Sequence, residues 1–567
     1  MKILGIKYVG HDTAATLMID GEIIAASSQE RYDYKKHSRD FPIDAINDCL
    51  KTGNLDINEI DEIAFALDPI FHIREVYLKT ALEDDERIGF LLKDIDRIKT
   101  SYNQESIIRH YTGYEGKIGF YNHHMCHLAS AYYPSGFNDA IIVSIDGMGE
   151  IETGMYATGK SGMIDILHKN NRYPNSLGLM YSAITSYLGW RNHCDEGIIM
   201  GLASFGKPHE KIPNSEYTYY EIFSDIIKET GKYDYEINKE WIAYHKIRDK
   251  WVSDKFSDLF GPKKIYEEPI TQHHKNIAAA LQLRLETVVL KHLKHLKEET
   301  GLTKLCIAGG VGLNCSMNGA IEQSGMFDEI FVQPASGDDG STLGACFVAA
   351  KKSGLDIKPK KEHNYYLGSV FSQEDIKSAV EKSGVKFTFH DNVFKETANL
   401  LEQGNIIAWH QGRAEFGPRA LGNRSILTKP FPESMKDYIN AKVKFREEFR
   451  PFAPAVLKEH CSEYFDINQE SPHMLIACNV QPDKKEEIAA TVHVDDTCRV
   501  QTVGEDNNYR FRKLLEAFYE KTGVPVLLNT SFNVKGQPIV NTPEEAINCF
   551  LNTAIDNLVV GDYILYK

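Results

Sequence analysis

Short apolar runs separated by glycine-bearing turns open the chain. Ile3-Leu4-Gly5-Ile6 reads as a strand and Gly10-His11-Asp12-Thr13 as a turn. A second strand, an Asp20-Gly21 hairpin turn and a third strand follow, up to about residue 31. The same order returns over 139–168: a strand from Ile141 to Ile145, the turn Asp146-Gly147-Met148-Gly149, a strand at Met155-Tyr156-Ala157, a turn from Gly159 to Gly162, and a strand from Met163 to Leu167. The period then changes. Ile277, Leu281, Leu285 and Val288 recur at spacings of four and three, which predicts an amphipathic helix over roughly 273–299. It feeds a strand, Lys304 to Ala308, and the turn Gly309-Gly310-Val311-Gly312-Leu313-Asn314. Such a turn lets backbone amides approach a phosphate or nucleotide, although many tight turns look the same.

Two copies of strand, loop, strand, turn, strand, each followed by helical sequence, predict a duplicated α/β unit. The actin-like, sugar-kinase-like fold has that plan; a chance recurrence of hairpins is the plainer alternative. Lys351 to His363, rich in lysine with Pro359, reads as a linker. Beyond it, Ile406 to His410 and Val524 to Leu528 read as strands, the second ending in a polar loop, Asn529-Thr530-Ser531-Phe532-Asn533. Thr542-Pro543-Glu544-Glu545 is a capping box that starts a helix.

Composition narrows the class. A chain of 567 residues exceeds one core, so two or three domains are expected. A net charge of −16 argues against a general nucleic-acid binder while leaving room for a local basic pocket. The ten cysteines include no Cys-x2-Cys pair and fit reduced thiols. Lys2 and Lys7 around the first strand are too polar for a signal peptide, and no apolar run spans a bilayer. The expectation is a cytoplasmic protein with no membrane partner.

The candidate chemistry is of two kinds. In Asn122-His123-His124-Met125-Cys126-His127, His123 and His127 share one helix face and can grip one metal ion. Asp146 ends a strand, and Gly337-Asp338-Asp339-Gly340 follows the strand-like Glu329-Ile330-Phe331-Val332. Nitrogen and oxygen donors without thiolate suit a metal that handles substrate oxygen and keeps positions open. Packed histidines are the bland alternative. Farther on, Arg419, Arg424, Lys444, Arg446 and Arg450 lie among glycines and prolines, a setting that suits capture of phosphate oxygens. An ion-pair network with Glu447 and Glu448 is the competing reading.

With these motifs the chain resembles the O-carbamoyltransferases of the nodulation and antibiotic type, the cephalosporin and tobramycin enzymes included. The resemblance covers essentially the full length. It rests on His-Asp-Thr-Ala at 11–14, the histidines at 123–127, EGIIMGLASFGKP (Glu196 to Pro208), GGVGLN (Gly309 to Asn314), GDDGSTLGA (Gly337 to Ala345), FGPRALGNRS (Phe416 to Ser425), FREEFRPFAP (Phe445 to Pro454), HVDDTCRVQTV (His493 to Val503) and NTSFN (Asn529 to Asn533). It implies a duplicated actin-like (ASKHA) domain over 1–355 for carbamoyl transfer, a linker over 356–369, and an α+β YrdC-like domain over 370–567.

The YrdC-like domain would cleave carbamoyl phosphate and condense the carbamate with ATP and Mg2+, giving carbamoyl adenylate and pyrophosphate. The family's Lys-x-Arg and Ser-x-Asn pattern falls on Lys444-Phe445-Arg446 and Ser531-Phe532-Asn533. Arg419, Arg424, Arg450 and Arg499, with Asn529 and Thr530, would complete that site. In the actin-like domain the resemblance implies a metal held by His123, His127, Asp146 and Asp338. Fe2+ is the family expectation, and Zn2+ or Mn2+ suits the same donors. The metal would polarise and orient the adenylate, with His11 as base on the acceptor hydroxyl. Lys36 (Lys35 adjoins it) and Asp12 would lie at the acceptor, and Gly147, Gly149, Gly310, Val311 and Asn314 at the adenylate. Gly312 stands where many relatives carry alanine. A sugar-kinase-type phosphotransferase and a tRNA threonylcarbamoyl-type modification protein are the alternatives, the latter disfavoured by the net charge. The partners expected are ATP, carbamoyl phosphate and a small hydroxylated acceptor. Oligomeric state stays open, a homodimer included.

Overall fold

The computed structural model describes all residues except 84–87, 89–90, 170–171 and 363, so His363, where the lysine-rich stretch ends, lies outside the described residues. The chain forms two compact units, 1–24 with 39–361, and 25–38 with 362–567.

In the first unit, β1 (Lys2–Lys7), β2 (Ala14–Ile19), the start of β3 (Glu22–Ser28), β4 (Glu62–Phe65) and β5 (Lys117–Phe120) form one sheet in the order β3-β2-β1-β4-β5. β1 runs antiparallel to β2 and parallel to β4, and β4 is parallel to β5. The second sheet comprises β6 (Asp139–Ile145), β7 (Gly154–Lys160), β8 (Met163–His168), β11 (Lys304–Ala308) and β12 (Glu329–Val332). A small hairpin, β9 (Ile227–Glu229) and β10 (Tyr235–Ile237), lies between β8 and β11 in the chain. Read from β8, the second order is β8-β7-β6-β11-β12, with the same pattern of antiparallel and parallel neighbours. The recurrence is therefore a structural duplication, and the fold is the actin-like one.

Both sheets are covered by helices, which is why β6 is buried along almost its whole length and reads as a continuous apolar run. The helices His123–Ser135 and Ser341–Lys352 share one core with Ile3, Ala64, Ile142 and Cys306. They approach closely: a Cβ on Gly344 would collide with the Cys126 carbonyl, and one on Gly5 with that of Thr342. The amphipathic segment forms the helix Gln272–Thr300, with Ile277, Leu281, Leu285 and Val288 buried as their spacing predicts.

The second unit is α+β. Its main sheet uses β13 (Lys386–Phe389), β14 (Ile407–His410), β15 (Arg424–Thr428), β16 (Ala453–Leu457), β20 (Gln501–Val503), β21 (Val526–Ser531), β22 (Asn557–Val560) and β23 (Tyr563–Tyr566). Their order is β13-β23-β22-β14-β15-β21-β16-β20. A three-stranded sheet holds β17 (Phe465–Asp466), β18 (Ala477–Val480) and β19 (Thr497–Arg499). Alternate residues of β14 and β22 enter two different cores: Ala408 and Leu558 on one face, Trp409 and Val559 on the other.

One expectation needs correcting. The polar triplet Asn529-Thr530-Ser531 is strand rather than loop, because β21 continues to pair with β15 through Asn529↔Leu427, Thr530↔Ile426 and Ser531↔Ser425. The ladder's hydrogen bonds override the weak strand preference of these residues. The capping box stands as expected: Glu545 N donates to Thr542 Oγ1 (3.1 Å) and Thr542 N to the Glu545 carboxylate (3.2 Å).

Candidate functional site

Four of the predicted side chains meet in the first unit. One helix face places His123 and His127 with their Nε2 atoms 3.0 Å apart. Asp146, just past the end of β6, brings Oδ2 within 3.3 Å of His123 Nε2 and 4.0 Å of His127 Nε2. Asp338, in the turn beyond β12, brings Oδ1 within 3.5 and 3.9 Å of the same atoms. Its neighbour Asp339 instead accepts from the Gly340 amide (3.0 Å). One donor atom from each of the four lies within 4.8 Å of all the others.

This donor set fits a divalent metal. Donors about 2.1 Å from a common ion stand roughly 3–3.5 Å apart at adjacent positions. His123 Nδ1 lies 3.2 Å from the Ala66 carbonyl, which fixes the tautomer that leaves Nε2 as a lone-pair donor. Asp146 Oδ1 accepts from the Gly310 amide (2.8 Å), so Oδ2 alone faces the histidines. The electrostatics ask for a cation. Burial opposes the charge on Asp146, but the His123 hydrogen bond and the nearby imidazoles hold it well below the usual carboxylate range. For Asp338, burial is outweighed by Lys7 and His123. Burial likewise disfavours an imidazolium at His123, yet Asp338 and Asp146 push it up to about 10. His127, buried beside that charge, drops to about 3. The pair thus carries one positive charge in the place a metal would take.

The supporting shell contains Glu150, which closes the DGxGE motif of Asp146 to Glu150 and to which the sequence assigned no role. Glu150 accepts from His123 N (3.0 Å), Asn122 Nδ2 (2.9 Å) and Asp68 N (2.8 Å), placing a carboxylate on the N-terminus of the ligand helix. Its signal was the spacing Asp146-x3-Glu150. Glu150→Ala is expected to weaken metal binding by about 10- to 100-fold, measured by metal titration. Gly149 lets the turn pack closely on the ligand helix, since a Cβ there would stand 3.0 Å from the His123 and His124 side chains; at Gly147 the nearest atom is 3.7 Å away. His124 itself faces away, bonded to Ser144 Oγ and the Glu152 carbonyl (each 2.8 Å).

Of the other residues expected at the adenylate, Gly310 uses its amide on Asp146, and Val311 is buried. Asn314 turns its side chain into the protein: Oδ1 caps the helix Cys315–Gln323 through Met317 N (2.9 Å), and the amide pairs with Gln282. His11 lies on the β1–β2 turn with Nδ1 2.8 Å from Asp12 Oδ2, and its ring stacks on His193 at 5.3 Å. Burial disfavours its charge, but Asp12 and then Asp338 raise it to about 9. That shift favours the imidazolium, the form that must lose its proton before the ring can act as a base.

In the second unit the Lys-x-Arg and Ser-x-Asn segments meet. Lys444, 2% exposed, donates to the Ser531 carbonyl (2.7 Å) and to Asn533 Oδ1 (2.6 Å) and carbonyl (3.0 Å). Burial, then Arg446, Arg450 and Lys36, force its pKa well below the ordinary lysine value. Arg446 bonds Asn440 Oδ1 (2.7 Å) and lies over Phe452 at 4.7 Å; burial and the charges of Arg450 and Arg499 push it down. Arg499 Nε is buried with no hydrogen-bond partner among the described residues. Glu447 answers part of this charge, 2.9 Å from Lys535 and 3.9 Å from Arg450; despite burial it is held at about 2. The ion-pair reading thus holds for Glu447 and Arg450, while the crowding of cations leaves demand for an anion.

Two residues sit differently from expectation. Arg424 is fully buried and donates to the carbonyls of Gln411 (2.6 Å), Gly412 (3.3 Å), Asn423 (3.1 Å) and Asn541 (3.2 Å), so its guanidinium builds the loop rather than facing a ligand. Below the same loop, Glu415 Oε1 takes the amides of Leu421, Asn423 and Arg424. Lys36, expected at the acceptor, belongs to the C-terminal unit, where its charge bears on Lys444. Arg419 is half-buried on the 416–425 loop; Thr530 is half-buried on β21, and Asn529 ties that strand to Gln501 (2.9 Å).

The family model described as carbamoyltransferase N-terminus matches residues 2–347, and that described as carbamoyltransferase C-terminus matches 398–567. The chain belongs to the carbamoyltransferase family. Nodulation protein NolNO of Sinorhizobium fredii is 36% identical over 98% of this chain and 79% of its own length. Nodulation protein NolO of Bradyrhizobium diazoefficiens is 37% identical over 79% of each chain. An uncharacterized protein of Synechocystis sp. is 36% identical over 100% of this chain and 96% of its own. This carbamoyltransferase has, among its described residues, no helix long and apolar enough to cross a membrane.

Proposed function

We propose that the protein is an ATP- and carbamoyl-phosphate-dependent O-carbamoyltransferase acting on a small hydroxylated molecule, in the cytoplasm. The observation that carries this is a pair of chemically opposite sites on one chain. One is a His2Asp2 cluster that calls for a cation; the other is a buried lysine with half-buried arginines that calls for an anion. The likeness to nodulation proteins supports the reading, and ten free cysteines fit a reducing compartment.

In the C-terminal, YrdC-like domain, Lys444, Arg446, Arg450 and Arg499 offset phosphate charge, with Mg2+ accompanying ATP. Water cleaves the bond between the carbamoyl group and phosphate in carbamoyl phosphate, giving carbamate and phosphate; a carbamate oxygen then bonds to the α-phosphorus of ATP and pyrophosphate leaves. In the N-terminal domain the acceptor oxygen bonds to the carbamoyl carbon of the adenylate, the bond from that carbon to the AMP oxygen breaks, and the hydroxyl proton must be removed. His123, His127, Asp146 and Asp338 would hold a divalent metal, Fe2+ by family expectation, supplying Lewis-acid polarisation of the carbamoyl group. Asp12 orients His11, the base of the scheme. Because an imidazolium cannot accept a proton, the transfer rate should rise with pH to a midpoint no higher than about 9. His11→Asn should remove that rise and leave the metal in place; a pH–rate profile and a metal assay check both.

Product analysis of the purified protein with ATP, carbamoyl phosphate and candidate acceptors tests the whole reading. AMP, pyrophosphate and an acceptor heavier by one carbamoyl group are expected. ADP formed with a phosphorylated acceptor would replace it with the kinase alternative.

A further inference from the structure

Lys7 is the last residue of β1 and is 3% exposed, an unusual place for an ammonium group. Its Nζ stands 3.0 Å from Asp338 Oδ2 and donates to the Val9 carbonyl at 2.6 Å. Asp338 Oδ1, the other oxygen, is the one that faces His123 and His127. Lys7 thus reaches from the first sheet of the duplicated domain to a candidate metal ligand that follows the second. It also braces the turn carrying His11, where Val9 (φ 83°), Gly10 (φ 97°) and Asp12 (φ 56°) all have left-handed backbone. Valine pays a steric cost in that region, so the turn needs an external hold.

We propose that Lys7 is a positioning residue that keeps Asp338 bound to the metal through a single oxygen. The inference rests on the reading that the His2Asp2 cluster holds a divalent metal. An ammonium engaging one carboxylate oxygen competes with chelation through both, which favours leaving a coordination position for substrate. A positive charge on the ligand also withdraws electron density from it and repels the ion. Lys7 therefore weakens metal binding and keeps the ion electrophilic, and these opposed effects separate its role from simple structural support.

The test uses Co2+ as the probe in the full-length protein, comparing wild type, Lys7→Met and Lys7→Arg. Lys7→Met is expected to bind Co2+ about 10-fold more tightly, because a like charge beside the ion is gone. Its visible d–d absorption should weaken as Asp338 takes up a second bond and the coordination number rises, and carbamoyl transfer should slow. Lys7→Arg should restore the wild-type absorption. Unchanged or weaker Co2+ binding with an unchanged spectrum in folded Lys7→Met overturns the proposal and leaves the metal reading standing. Failure of the wild type to bind Co2+ overturns both.

Discussion

Arg446→Ala is expected to abolish carbamoyl-phosphate-dependent ATP–pyrophosphate exchange, by about 10²- to 10³-fold, while transfer from supplied carbamoyl adenylate continues. Arg446 lies among Lys444, Arg450 and Arg499, and burial with the charges of Arg450 and Arg499 depresses its pKa although Glu447 opposes them. A phosphate-bearing substrate is the natural counter-charge for this guanidinium, which lies over Phe452 and donates to Asn440 Oδ1 (2.7 Å) and the Pro451 carbonyl (3.3 Å). The substitution also removes the Asn440 hydrogen bond, so a fold defect must be told apart from a lost ligand contact. Arg446→Lys serves that purpose: it keeps the charge, loses the fork, and should retain a measurable fraction of exchange. Undiminished exchange in folded Arg446→Ala would refute the assignment.

How much of this could be read from the residues depends on distance along the chain. The first three strands of each duplicated sheet were legible because they form a local meander whose turns carry glycine and whose strands are short apolar runs, as at Ile3 to Ile6 and Ile141 to Ile145, whereas the parallel strands beside them come from farther along the chain. The His123–His127 pair was legible because helical spacing dictates a shared face. Less visible was anything decided by tertiary neighbours. No local pattern says that residues 25–38 pack with the C-terminal unit, or that Lys36 therefore keeps company with Lys444. Arg424 and Arg446 look alike in sequence, yet one is walled in by carbonyls and the other crowded by cations. The strand through Ser531 has turn-like composition and is held by its partner β15. The roles of Glu150 and Lys7 were hidden for the same reason: each acts on a residue far away in sequence or through the backbone.

His123→Ala is expected to strip the metal and abolish transfer while ATP–pyrophosphate exchange continues at its normal rate. His123 Nε2 is nearest to both carboxylates and to His127, so its loss removes the donor that the other three share. Altering a supporting residue already costs about 10- to 100-fold in metal affinity, and loss of a direct donor must exceed that. Substituting a neutral methyl also leaves Asp146 and Asp338 facing each other without the imidazole that favours the ionised form of both, Lys7 alone remaining beside Asp338. The variant should therefore bind protons where the parent binds metal, and a metal assay across pH would show the site failing most steeply in acid. His124→Gln is the paired control: its ring bonds Ser144 and the Glu152 backbone instead of the cluster, so metal content should hold even if stability drops. Separate loss of transfer and exchange in the His123 and Arg446 variants would mean that two sites, each built from its own set of charges, divide the reaction. If His123→Ala abolished exchange as well, that division would be wrong, because nothing in the cationic site draws on the imidazole.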